Sequence, residues 1–153
     1  MSGKSQRNMK RAMKKALNSM TDKAASAPTD NPQISALLES LTDSDPDVRR
    51  ETAQDLGDLI AGLKKPGQPV AAPPELVNTL YDSDTGVREA ASWALGLIAD
   101  PDTTPALASR LQDEDRRVQS RAAWALSRIR TPRALAAVEA WYADQRLRDN
   151  DAD

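Results

Sequence analysis

Carboxylates are the most plentiful reactive groups of this chain, and they recur in one spacing: Asp43/Asp45/Asp47, Asp82/Asp84 and Asp113/Glu114/Asp115. Alternating acids of this kind open a calcium loop, which completes its coordination with a glutamate at the twelfth position. Counted from Asp43 and Asp82, that position holds Gln54 and Trp93, so a calcium loop would lack its bidentate ligand. Two carboxylates can also act as general acid and general base, but one of them then needs an enclosed apolar pocket to raise its pKa. Nothing in the sequence builds such a pocket. The chain has no histidine and no cysteine, which removes thiol nucleophiles, His-dependent triads, Cys/His zinc sites and disulfides. It also lacks a phosphate-cradling glycine loop and a GxSxG elbow. Acids in these places are suited instead to capping helices, where a side-chain oxygen accepts a free amide and negative charge favours the positive helix end. A non-enzymatic protein is expected, without catalytic residues, metal or cofactor.

Tryptophan and arginine offer binding chemistry. Trp93 and Trp124 each stand six residues after a valine, Val87 and Val118. At about 100° per residue, a helix gathers the valine and the positions four, eight and eleven later on one side. The sixth falls more than a right angle away, so both indoles belong at the edge of the core or beyond it. There they either pack between adjacent helices or form an apolar ridge flanked by Glu89, Arg121 and Arg128, the aromatic and arginine combination of binding hot spots. Gln54 takes the equivalent place earlier in the chain. The candidate partner-binding face is therefore Gln54, Glu89, Trp93, Arg121, Trp124 and Arg128.

The elements that position these side chains come from a threefold repetition: DSDPDVRRETAQDLGDLI from Asp43, DSDTGVREAASWALGLIA from Asp82 and DEDRRVQSRAAWALSRIR from Asp113. Aligning Val48, Val87 and Val118 gives periods of 39 and 31 residues, with Leu56, Leu95 and Leu126 eight residues later. Upstream, Leu37/Leu41, Leu76/Leu80 and Leu107/Leu111 lie eleven and seven residues before each valine. Each unit is thus two short apolar helices joined by an acidic turn, and one unit cannot bury its apolar face without a neighbour. The pattern DxDxxVRxxAxxxLGxI after a leucine-bearing helix, running from about Gln33 to Tyr142, resembles the HEAT-like repeats also found in phycobilin lyases. The resemblance implies an all-α fold: a short right-handed α-solenoid of three helical hairpins plus a C-terminal capping helix. It further implies that a turn aspartate pairs with the arginine after the valine of a neighbouring repeat, here Arg49 and Arg88, in a ladder left incomplete by Gln119 in the third unit. Such repeats serve as scaffolds, adaptors, regulators and a few lyases, so the fold alone does not choose among these roles.

Boundaries follow from local chemistry. In the first repeat, helices are expected near Gln33 to Leu41 and Pro46 to Ala61, the second capped by Asp45 with Pro46 at its first position. The connection KKPGQPVAAPP, residues 64–74, is eight residues longer than its counterpart between the second and third repeats. Repeat two is expected over Pro74 to Ala99 and repeat three over Pro105 to Arg130, with Thr104-Pro105 and Thr131-Pro132 spelling cap and first turn. A last helix near Pro132 to Leu147 restarts the first-helix pattern at Leu135, Val138 and Tyr142. Gly57 and Gly96, inside the second helices of their units, suit close approach of neighbouring helices. The expected organisation is an arm and linker over 1–32, a repeat domain over 33–148 and a disordered acidic tail over 149–153.

Charge separates the arm from the body. Residues 1–27 carry seven Lys/Arg against one Asp, a local charge of +6, and the remainder sums to −8. Met9, Met13, Leu17 and Met20 recur at helical spacing with Lys10, Arg11, Lys14 and Lys15 on the other side. Alone in water such a helix is marginal, so the arm is expected to order on contact. A protein groove suits methionine's adaptable side chain, and phosphate backbones attract the charges. An anionic membrane ranks behind both, since the apolar face is thin and has no aromatic anchor. The composition also fits a transit peptide. The arm's candidate binding residues are Lys4, Arg7, Met9, Lys10, Arg11, Met13, Lys14, Lys15 and Leu17. No run of about 18 apolar residues and no secretory signal occurs, which favours the cytoplasm. The expected function is a protein-binding scaffold or adaptor, an accessory subunit or assembly factor of a larger complex with the arm docking into the partner. The alternatives are nucleic-acid association through the arm and phycobilin-lyase-like handling of a chromophore.

Overall fold

Each second helix of a repeat begins at an acidic turn, and the turn works the same way three times. In a computed structural model describing residues 30–151, the Oδ1 atoms of Asp43, Asp82 and Asp113 accept the amides of Asp45, Asp84 and Asp115 at 2.8, 2.9 and 3.0 Å. The second acid of each turn then caps the helix: Asp45 accepts the amide of Asp47, Asp84 that of Val87 and Asp115 that of Arg117. Local side-chain acceptors of this kind replace the intrahelical carbonyls that first-turn amides lack.

The resulting order is α1 (Pro32–Ser40), α2 (Pro46–Leu63), α3 (Pro74–Asn78, continued by a 3-10 turn over Thr79–Tyr81), α4 (Thr85–Ile98), a 3-10 turn over Pro101–Thr103, α5 (Thr104–Arg110), α6 (Arg116–Ile129) and α7 (Pro132–Asn150). The second helices stack in sequence, with α4 packed between α2 and α6, and α7 closes against α5 and α6. No strand occurs among the described residues, and none of their helices is long and apolar enough to cross a membrane. The chain is a short all-α solenoid. The arm and all its candidate binding residues lie outside the described residues.

The core is built from the repeating positions. Leu56, Leu95 and Leu126 are fully buried, as are Leu76, Leu80 and Leu107. Neighbouring helices approach closely at two glycines. A methyl group on Gly57 would lie 2.7 Å from the Cα of Ala94, and one on Gly96 would lie 3.0 Å from the Cα of Ala125. Only a residue without a Cβ permits this spacing without separating the helices.

The ends of the stack depart from the repeat pattern. Val48 is 37% exposed whereas Val87 and Val118 are 0% exposed. In the first repeat, Ile60 turns fully inward and Leu59, eleven residues after the valine, is only half-buried. Ile60 can do so because the helix runs on past it, whereas Leu59 borders an open groove. The second helices α4 and α6 leave through left-handed residues, Ala99 and Arg130, immediately after the eleventh position, while α2 continues to Leu63. On α7 the inner face is Ala134, Val138 and half-buried Trp141, and the expected Leu135 and Tyr142 are 45% and 55% exposed. No described element covers these two, and they lie on the flank of the helix. The tail also stays helical further than expected, to Asn150, with Arg148 paired to Asp144 one turn earlier.

The long connection is tied down rather than looped out. Lys64 donates from Nζ to the carbonyl of Ile98 at 2.6 Å, meeting one of the unpaired carbonyls at the end of α4. The amide of Ala72 donates to Oδ2 of Asp100 at 2.8 Å, while Oδ1 of the same side chain accepts from the amide of Asp102 and caps the 3-10 turn. Thr104 is therefore not a cap. It already lies within α5, and its hydroxyl donates back to the carbonyl of Pro101. Thr131 does cap α7, accepting the amide of Ala134.

Candidate protein-binding face

The ladder implied by the repeat resemblance is present, and it runs in one direction. Arg49 reaches forward to Asp82 with Nε at 2.8 Å and Nη2 at 2.9 Å, and Arg88 reaches Asp113 with the same two atoms at 3.0 and 3.1 Å. The remaining guanidinium nitrogen, Nη1, holds the arginine's own turn, donating to the carbonyl of Asp43 or Asp82. Gln119 keeps only that second task, donating from Nε2 to the carbonyl of Asp113 at 2.6 Å. Each rung thus fixes one turn internally and joins it to the next.

These pairs set the response to acid. Burial pushes the Asp82 carboxyl up, but the hydrogen bonds from Arg49 and the Asp84 amide, with the charges of Arg49 and Arg88, outweigh it and hold the group below the ordinary carboxylate range. A carboxyl with a lowered folded pKa contributes its stability above the unfolded value of about 3.9 and loses it as pH falls through the folded value. Urea unfolding from about pH 6 down to about pH 3 should therefore show stability falling in the acid limb. An Asp82→Asn variant should show a shallower fall.

Beside the ladder, α4 and α6 bring Trp124, Arg121, Arg128 and Glu89 together. The six-membered ring of Trp124 lies over Gly96, where an added methyl would come within 2.9 Å of Cε3. One flank of the indole thus bridges two repeats, and the residue as a whole stays half-buried. The Cζ atoms of Arg121 and Arg128 stand 5.8 and 5.4 Å from its ring centroid, within the range of cation–π attraction. Arg128 also donates from Nε to the carbonyl of Gly96 at 3.0 Å, and Arg121 pairs with Glu89 at 3.5 Å. Glu89, Arg116, Arg117, Ser120, Arg121 and Trp124 line an open depression of about 420 Å³.

Three of the six face residues reasoned from sequence, Glu89, Arg121 and Trp124, share this depression, and Arg128 stands against the same indole. Trp93 is half-buried against the core, and Gln54 is exposed on α2; neither lines the depression. Sequence reasoning missed Arg116 and Arg117. Their signal was available: two cations in the first turn of α6 oppose the helix dipole. Arg117 is partly neutralised by Asp115, whose carboxyl its hydrogen bonds hold below the ordinary range. Arg116 is exposed and has no carboxylate partner among the described residues.

Solenoid geometry and ladder define a short helical-repeat protein. A family model of HEAT repeats matches residues 34–116 and again 73–150, and the chain belongs to that family. Among solved structures, an engineered protein studied by crystallography is 24% identical, with a TM-score of 0.54 over 72% of this chain. That likeness concerns the fold alone, and this chain spans 51% of the length of the engineered one. No curated protein sequence matches. HEAT repeats generally serve as protein-interaction scaffolds.

Proposed function

We propose that this protein is a non-catalytic adaptor that binds a protein partner on the α4–α6 face, with Trp124 as its apolar anchor and Arg116, Arg117 and Arg121 receiving acidic side chains. The observation that carries this reading is a half-buried indole, with two guanidiniums within cation–π range, lining an open depression on an otherwise acidic body. Aromatic and arginine side chains dominate interface energetics when a partner excludes water from them. A ring already held by its contact with Gly96 has little conformational freedom left to lose on binding. The adaptor would then act as an accessory subunit or assembly factor of a larger complex.

The test begins with tagged full-length protein purified from its native host at low salt, then washed through a salt gradient. A partner retained by the wild type should be lost by Arg121→Glu, which reverses charge while leaving the Trp124 contact with Gly96 in place. Trp124→Ala should weaken binding of the identified partner by 2 kcal/mol or more, about thirty-fold, as hot-spot truncations do. Unchanged affinity in both variants would move the interface elsewhere. Nucleic acid in the eluate, lost steeply with salt, would make the arm the functional element instead.

A further inference from the structure

The first repeat exposes a face that the other two bury. Ala94 and Ala125, each seven residues after a repeat valine, are 0% exposed and meet the glycine of the preceding repeat. The equivalent residue of the first repeat is Asp55, which is exposed. Leu37 is only half-buried where Leu76 and Leu107 are fully buried. Together Gln33, Ala36, Leu37, Asp55, Asp58 and Leu59 line an open groove of about 660 Å³ between α1 and α2, its lining combining two leucines with two acids. Among the described residues neither Asp55 nor Asp58 has an ion-pair partner, and no guanidinium reaches the side chain of Asp43, the unit's counterpart of Asp82 and Asp113. A further repeat stacked here would bury the Asp55 charge at the point where the other junctions place alanine, at a high desolvation cost.

We infer that the occupant of this groove is the chain's own basic segment, residues 9–20, packed across the first repeat as an N-terminal cap. Met9, Met13, Leu17 and Met20 supply one apolar side for Leu37 and Leu59, and Lys10, Arg11, Lys14 and Lys15 supply cations for Asp55 and Asp58. The local charge of +6 on residues 1–27 is opposite in sign to the −8 of the remainder. Reach is sufficient. The nine residues 22–30 can span up to about 30 Å, and the nine-residue α1 whose start borders the groove is about 13 Å long. Solenoids need a terminal element that is apolar inside and polar outside, and the sequence spacing of apolar and basic residues in this segment suits that role. The protein groove called for by the arm's spacing is then the chain's own first repeat.

The absence of native cysteine makes the test direct. Full-length Ser19→Cys protein carrying a nitroxide label is observed by amide NMR. The expected result is paramagnetic broadening centred on Ala36, Leu37, Asp58 and Leu59, unchanged on dilution and relieved both by high salt and by Asp55→Lys/Asp58→Lys. Both acids are exposed, so charge reversal there should leave the fold intact, which the unaltered amide spectrum of α4 and α6 would verify. Absence of broadening at the groove overturns the inference. So does broadening that appears on unlabelled chain mixed with labelled chain, since the arm would then lie on a second copy. Either failure leaves the Trp124 reading untouched, because that face lies on other repeats.

Discussion

Replacing Asp113 with alanine should cost about 3 to 5 kcal/mol of folding free energy, the range for removing one member of a buried ion pair. Its carboxylate is 2% exposed and the Arg88 side chain is 7% exposed. Asp113 accepts two bonds from Arg88, one from Arg110 at 3.2 Å and one from the Asp115 amide at 3.0 Å. Truncation removes the acceptor of all four bonds at once and leaves the buried Arg88 guanidinium with the 83%-exposed Glu114 as its remaining carboxylate partner. Urea unfolding measures the loss, and the Arg88→Ala/Asp113→Ala cycle separates the pair from the other contacts. The control is the exposed Arg148–Asp144 pair, where alanine should change stability by no more than about 0.5 kcal/mol. A loss at Asp113 as small as at Asp144 would mean that the rung between repeats two and three contributes no net stability.

The second large effect is expected at Leu95, fully buried on α4, the helix that packs against both neighbouring second helices. Leu95→Ala should cost about 2 to 5 kcal/mol, from lost transfer energy and the cavity left behind. In a solenoid the central unit contributes to two junctions, so its loss weakens both. Arg50→Ala should stay within about 0.5 kcal/mol, because Arg50 and its partner Asp47 have side chains 42% and 68% exposed. A finer comparison uses equivalent residues: Val87→Ala should destabilise more than Val48→Ala, since the former is 0% and the latter 37% exposed. Equal small losses at Leu95 and Arg50 would mean the repeat register is wrong.

The sequence by itself determined the features that depend on neighbours within a unit or on regular stacking. Acid at each turn capped the next helix because the amides it serves lie only two or three residues away. Leu56, Leu95 and Leu126 went inward because helical periodicity sends that position toward the partner helix in every unit. The repeat resemblance also implied that the ladder would be incomplete at Gln119, which holds only its own turn. Tertiary structure alone decided what happens where the repetition stops. Val48 and Leu37 match the core pattern of their unit but are left partly open, for burial of those positions requires a preceding neighbour. Leu135 and Tyr142 fit the first-helix pattern but are exposed, because among the described residues no second helix packs over them. Periodicity placed Trp124 at the rim of the core, yet only the packed helices show one flank of its ring against Gly96 and two guanidiniums within cation–π range. A periodic pattern specifies the direction in which a side chain points, while burial depends on whether something stands in that direction, and at the two ends of a solenoid that is a property of the whole assembly of helices.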